Sequence, residues 1–304
     1  MPALREALAA RYTARGVPTS PSQLLITSGA QPAIALVART LLSRGDRAVV
    51  ETPGYPHAYE ALRAAGARLL PLAVDSDTGW NLDEAEQLLR RAAPVLAYVM
   101  PDFHNPTSRS MSEDERRRLV RMAEDTGTLL LVDETTGELD IDRGARLPPA
   151  AFASRRSSVV TIGSASKTMW GGLRVGWIRA GEEHIAALAA ARPAADLGTA
   201  VFDQLVVTEL LGEFDDVLQH RTRELGTARD ALLARLGERL PEWHVPEVSG
   251  GLFAWVRFDA PVSSQLALGA RSRGCGSPPD RGSDSTGHSS GSCASRSPPA
   301  RRRV

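Results

Sequence analysis

Lys167, in the stretch GSASKTMWGG (163–172), is the only lysine in a 304-residue chain that carries 36 Lys and Arg together. Arginine is effectively never deprotonated, whereas a lysine amine made neutral by burial and neighbours attacks a carbonyl and forms a Schiff base. A GC-rich gene accounts for the arginines and leaves the one lysine an accident; a carbonyl-condensing nucleophile accounts for the exception. The count alone supports both readings. Ser164 and Ser166 precede the lysine and Arg174 follows seven residues on. Hydroxyls beside a guanidinium fork suit a phosphate. A P-loop is excluded, because Ser166 stands where that motif needs glycine, and neither GxSxG nor a strand followed by GxGxxG is present.

Three further stretches carry chemistry at the ends of apolar runs. In LLITSGAQPAI (24–34), Ser28, Gly29 and Ala30 lead into a helix with Pro32 in its first turn. Unpaired backbone N–H groups and the positive end of the helix dipole make this an anion site, and the same stretch also reads as an ordinary helix cap. LLLVDE (129–134) ends a buried strand on Asp133; the carboxylate there meets either a ligand cation or, as an N-cap, the next backbone turn. In DFHNPTS (102–108), Asn105 precedes proline and is held extended or in a turn.

Elements that position these residues follow from the hydropathy pattern. Seven short apolar runs start near Leu24, Arg47, Ala67, Val95, Thr128, Val159 and Val175, and amphipathic stretches of helical period separate most of them. Such alternation specifies βαβ units and a mainly parallel seven-stranded sheet covered on both faces, an α/β architecture. No convincing helix separates the last two runs, so the final strand is expected to run antiparallel. Ligands then bind beyond the carboxyl ends of the strands. A long helical stretch after Gly181 links this unit to a smaller one opening on GGLFAWVRFDAP (250–261).

Composition narrows the classes. With 42% hydrophobic and 24% charged residues the chain reads as soluble and globular. Net charge is −5 up to Ala270 and +5 from Arg271 onward, so the body offers no phosphate-backbone surface and no nucleic-acid partner is expected. No apolar run approaches a membrane span and the charged N-terminus lacks a signal-peptide core, so a cytoplasmic protein is expected. The six histidines are scattered without a metal-binding pattern, and Cys275 and Cys293 both lie in the tail. From Gly269 to Val304 there is no Leu, Ile, Phe, Met, Trp or Tyr, which predicts disorder.

A phosphate at a helix start, a ring nitrogen paired with a carboxylate and a carbonyl condensed with a lysine together specify pyridoxal phosphate. The ordered set TSGAQPAI, ETPGYP, HNPTS, LLVDE, GSASKTMWGGLRVGWIRAG and SGGLFAWV resembles the class I/II aminotransferases of pyridoxal-phosphate fold type I. Among these it is most similar to the aminotransferase-like domain of MocR-type regulators of the GntR family. The resemblance implies that Lys167 holds the cofactor as a Schiff base and later acts as general base, and that Asp133 pairs with the pyridine nitrogen. Asn105 would hydrogen-bond the ring hydroxyl oxygen and Tyr55 would stack on the ring. Gly29, Ala30 and Gln31 would offer donors to the phosphate, with Ser164 and Arg174 completing its shell. Substrates would be an amino acid and a 2-oxo acid, and two subunits would form a homodimer.

The resemblance divides the chain into residues 1–20, an N-terminal helical segment of the small domain; 21–210, the large cofactor-binding domain; 211–268, the interdomain helix and the start of a truncated α+β small domain; and 269–304, a tail resembling a frameshifted reading. Thr135 and Thr136 stand where related proteins carry a ring-contacting tyrosine. No counterpart of the family's carboxylate-clamping arginine is found before the tail, and the sequence opens inside the aminotransferase-like part, downstream of where regulators of this type carry a winged helix. Two alternatives to turnover are a cofactor- or amine-sensing domain of a regulator and an inactive fragment.

Overall fold

Strands that are apolar on both sides need helices on both sides, and the alternation of the chain supplies them. The computed structural model describes residues 1–144, 147–154, 158–258, 262–272 and 292–296. Helix α1 (Pro2–Ala14) leads into β1 (Leu24–Thr27), α2 (Ala30–Leu41), β2 (Arg47–Thr52), α3 (Pro56–Ala64) and β3 (Arg68–Asp75). Then follow β4 (Gly79–Trp80), α4 (Leu82–Ala92), β5 (Leu96–Val99), α5 (Glu113–Thr126), β6 (Leu129–Asp133), β7 (Val159–Ser164) and β8 (Gly176–Arg179). Helices α6 (Glu182–Ala191), α7 (Val201–Gly212) and α8 (Phe214–Arg239) precede β9 (Phe253–Arg257), α9 (Ser263–Ser272) and β10 (Ser292–Arg296).

The main sheet has eight strands in the order β1-β8-β7-β6-β5-β2-β3-β4. All seven expected runs are present; the eighth strand is the two-residue β4, too short to show as a run, which folds back antiparallel on the end of β3. Strands β7, β6, β5, β2 and β3 are mutually parallel, and β8 runs antiparallel between β7 and β1, as expected.

Alternation within each strand divides the interior into two layers. Val49, Ala97, Val99, Leu130 and Val132 pack with Leu4 and Leu8 of α1, Leu89 of α4 and Leu119 and Val120 of α5. Their neighbours Ala48, Val50, Leu96, Tyr98 and Leu131 pack with Ile34 and Val37 of α2, Leu62 of α3 and Leu188 of α6. Each large side chain so buried contributes about 1.5–3 kcal/mol, which fixes the register of the sheet and the position of the loops beyond it.

Local signals set the helix ends. Ser112 and Glu115 form a reciprocal capping box at the start of α5, and Gly127 (φ 70°) closes it. Asn81 accepts from the N–H groups of Asp83 and Glu84 at the start of α4. Beyond the sheet, Phe214, Leu218 and Leu225 of α8 pack on Leu139, and β9 pairs antiparallel with β10. Within the stretch expected to be disordered, residues 269 onward, the described residues are the end of α9, which runs to Ser272, and β10; the rest of that stretch lies outside the described residues. No helix among the described residues is long and apolar enough to cross a membrane, and among them no group of three or more His, Cys, Asp or Glu side chains forms a metal site.

Candidate active site

Five loops converge at one end of the sheet. Strands β6 and β7 are adjacent and parallel, with Asp133 opposite Ile162, so Asp133 and the Lys167 loop leave the sheet side by side. Strands β2 and β5 are also adjacent and parallel, yet β2 leads on to β3 and β5 leads to β6, on opposite sides. The loops diverge at this point, as at the ligand crevice of open α/β sheets. Tyr55 follows β2 and Asn105 follows β5, so the topology brings both to that crevice.

Asp133 is 3% exposed. Its Oδ1 accepts the Thr135 N–H at 2.8 Å and its Oδ2 accepts the Tyr98 hydroxyl at 2.8 Å. Both readings of the sequence are thus realised in part: the carboxylate caps the following turn, and it is held by neutral donors with no ion pair to any described residue. Burial raises its carboxyl above the ordinary carboxylate range, and the donors from Thr135 and Tyr98 offset this only partly.

The anion cradle is built from β1, the Lys167 loop and β8. Gly176 pairs with both Thr27 and Ser164, so the end of β1 lies one strand away from the end of β7. A Cβ at Gly176 would sit 2.5 Å from the Gly29 carbonyl carbon, so only glycine admits this approach. Gly29 itself has φ 109°, a conformation rarely adopted by other residues, and a Cβ there would lie 2.6 Å from Arg174 Nη2. Arg174 donates from Nη2 to the Ser28 carbonyl (3.3 Å) and from Nη1 to Ser166 Oγ (3.4 Å) and the Gly171 carbonyl (3.2 Å). The Ser166 N–H donates to Ser164 Oγ at 3.2 Å. Helix α2 begins at Ala30, and its first-turn N–H groups have no intrahelical acceptor. The Gln31 side chain is turned elsewhere, its amide donating to the His57 carbonyl at 2.9 Å.

Lys167 lies in the turn after β7 and is half-buried, and its carbonyl accepts Arg221 Nε at 3.3 Å. Asn105 lies in a loop that buried charges anchor. Arg116, fully buried, donates to both oxygens of Asp102 (2.6 and 2.7 Å) and to the Met111 and Pro101 carbonyls. His104 stands 3.3 Å by Nε2 from Glu51, whose oxygens also accept Trp80 Nε1 (2.6 Å) and the Met100 N–H (2.8 Å). Thr136 ties back to the same loop through the Asp102 carbonyl at 3.1 Å.

Sequence reasoning missed Tyr98, Glu51 and Glu134. Each stands in or beside an apolar run, where a tyrosine reads as core and an acid as a strand end. Glu134 is 7% exposed, its Oε2 lies 3.5 Å from Arg15 Nη1, and burial pushes its carboxyl up from 4.5 to about 7.

The donor set fits the pyridoxal phosphate that the sequence implies. A buried carboxylate without a cation matches a protonated ring nitrogen, the two-glycine cradle with Arg174 matches a phosphate, and the lone amine lies on the loop between them.

Comparison with known proteins agrees. The sequence profile of the family "Aminotransferase class I and II" matches residues 1–272. A 2-aminoadipate transaminase of Thermus thermophilus is 32% identical over 259 residues, covering 84% of this chain and 65% of its own length. The HTH-type transcriptional regulator YdfD of Bacillus subtilis is 31% identical over 271 residues, covering 86% of this chain and 55% of its own. The chain thus spans less than two thirds of these relatives. Among solved structures, α-aminoadipate aminotransferase LysN of Thermus thermophilus, complexed with N-(5'-phosphopyridoxyl)-L-leucine, superposes with a TM-score of 0.89 at 29% identity, over 97% of this chain and 76% of that one. Kynurenine aminotransferase of Pyrococcus horikoshii gives 0.90 at 27% identity, over 98% and 75%.

Proposed function

The chain belongs to the class I and II aminotransferases, and we propose that it transfers an amino group between an amino acid and a 2-oxo acid with pyridoxal phosphate held at Lys167. The observation that carries this reading is Asp133, a carboxylate held in the sheet interior by neutral donors, on the strand next to the one that presents the chain's single lysine.

When bound, pyridoxal phosphate supplies the aldehyde that an amine condenses with and a ring that accepts electron density as the substrate's α-proton leaves. Everything else falls to the chain. Lys167 Nζ anchors the aldehyde and, once released, takes the α-proton and returns it; an arginine performs neither task. Asp133 holds a proton on the ring nitrogen by charge. Arg174, Ser164, the first N–H groups of α2 and the Gly29 turn hold the phosphate and fix the ring's distance from Lys167. Asn105 and Tyr55 orient the ring from the β5 and β2 loops.

A homodimer is part of the reading. Trp170, Leu197, Val201, Phe202 and Leu205 are large apolar side chains exposed on the Lys167 loop and around α7, between 45% and 97% accessible. Clustered exposed apolar side chains of this kind mark protein contact surfaces, and this one suits a second copy.

The activity is tested by incubating the chain with pyridoxal phosphate, a ¹⁵N-labelled amino acid panel and a 2-oxo acid, and following label transfer by mass spectrometry. Transfer by the wild type and none by Lys167→Ala supports the reading; equal transfer by both, or none by either, sinks it.

A further inference from the structure

Two backbone outliers flank Asn105. Phe103 has φ 43° and Ser108 has φ 59°, a left-handed conformation that a residue with a side chain adopts at a cost and keeps only where its surroundings fix it. Both are buried, Phe103 completely. Between them the chain closes on itself: the His104 N–H donates to the Arg109 carbonyl at 2.9 Å and the Ser108 N–H to the His104 carbonyl at 2.7 Å. Asn105 therefore rides on a small closed loop whose position is set at its two shoulders.

One segment, residues 249–253 at the entry to β9, holds both shoulders. A Cβ at Gly250 would overlap the Phe103 ring and sit 2.5 Å from the Leu139 carbonyl oxygen, and one at Gly251, where φ is 81°, would sit 2.8 Å from Phe103 Cβ. Only the absence of two side chains lets this backbone reach Phe103. At the other shoulder Ser108 Oγ donates to the Phe253 carbonyl at 2.6 Å. The segment is itself tied to the stretch after β6, where the Ile141 N–H donates to the Ser249 carbonyl (3.0 Å) and the Gly251 N–H to the Leu139 carbonyl (2.9 Å). Asp102 and His104 anchor the loop to the sheet; the 249–253 contacts bear on the two strained residues.

We propose that residues 249–253, acting through Phe103 and Ser108, position the Asn105 amide against the ring oxygen of the cofactor. Phe103 and Ser108 are positioning residues that work through Asn105. The assignment rests on the aminotransferase reading and gives the SGGLF stretch a part in it. An amide N–H donated to the ring oxygen favours its ionised form. A loosened amide donates less well, so the oxygen keeps its proton to higher pH.

The test uses the full chain loaded with pyridoxal phosphate, as wild type, Phe103→Leu and Ser108→Ala, each with Asn105 intact and with Asn105→Ala. Circular dichroism checks the fold, borohydride reduction with mass spectrometry checks the label on Lys167, and a pH titration of the visible absorbance gives the midpoint for the ring. Asn105→Ala is expected to raise that midpoint by about one pH unit or more, the loss of a hydrogen bond to a charged group. Phe103→Leu and Ser108→Ala are expected to raise it by about half a unit, about threefold in proton affinity, and to add nothing once Asn105 is alanine. Where Phe103→Leu does not fold, Ser108→Ala decides. Wild-type midpoints in the folded, labelled single variants overturn the assignment. So does a shift that persists in full in the Asn105→Ala background, or a wild-type midpoint in Asn105→Ala itself. An unlabelled wild type removes the aminotransferase reading and this assignment with it.

Discussion

The Tyr98 hydroxyl donates to Asp133 Oδ2 at 2.8 Å from the neighbouring strand, at the end of the sheet where a buried carboxylate has only neutral donors for company. The relationship sets how strongly Asp133 holds its charge, since the phenol favours the ionised form that burial disfavours. Tyr98→Phe is therefore expected to raise the Asp133 carboxyl further and to weaken pyridoxal phosphate binding about tenfold, the loss of one hydrogen bond to a charged group. Titration followed by visible absorbance measures it. Unchanged affinity would remove Tyr98 from the site.

Glu134 makes folding pH-dependent. Its carboxyl rises from 4.5 to about 7 in the folded chain through burial. Between those values the folded state binds a proton that the unfolded state does not, so stability falls as pH rises from about 4.5 to about 7 and is flat above. The shift corresponds to about 3 kcal/mol at most. Glu134→Gln should flatten the pH dependence of the unfolding midpoint in that window and raise it at pH 8. A variant with the wild-type slope would show that another group is responsible.

Gly176 admits Gly29 to the anion cradle. A methyl group at 176 meets the Gly29 backbone at 2.5 Å and, being against main chain, cannot be accommodated by a side-chain rotation. Gly176→Ala is expected to destabilise the fold by about 1–3 kcal/mol, as overpacking does, and to abolish protection of the chain by inorganic phosphate in thermal unfolding. Wild-type behaviour in both measurements would show that the cradle moves freely.

Phe202 is 74% exposed on the apolar surface beside the Lys167 loop. Placing a charge there opposes its burial against a second copy. Phe202→Asp should sediment as a monomer under conditions where the wild type sediments as a dimer, with an unchanged circular dichroism spectrum. Identical sedimentation of the two proteins would put the subunit contact elsewhere.

Most of this architecture was legible in the sequence, because strands covered on both faces must be apolar throughout and Leu24–Thr27, Leu129–Asp133 and Val159–Ser164 have no other way to fold. The candidate residues Gly29, Asp133 and Lys167 stand out for a related reason, being polar or conformationally special residues at or just beyond the end of such a run, and Arg174 stands just before one. What escaped was whatever long-range pairing alone creates. Gly79 and Trp80 form a strand only because the end of β3 turns back on itself. Tyr98 reads as core until Asp133 is placed beside its hydroxyl. Arg221 lies in a helix rich in charge, where one more arginine reads as solvated surface, and only the packing of α8 brings it to the Lys167 carbonyl. Ser292–Arg296 pairs with β9 through backbone bonds, which carry no compositional signature.

The central claim is a covalent one, and the most direct measurement is peptide mass spectrometry of the chain after saturation with pyridoxal phosphate and borohydride reduction. The account predicts a single phosphopyridoxyl label, on Lys167, that is absent from Lys167→Ala. A label on any other residue, or none at saturation, would contradict it.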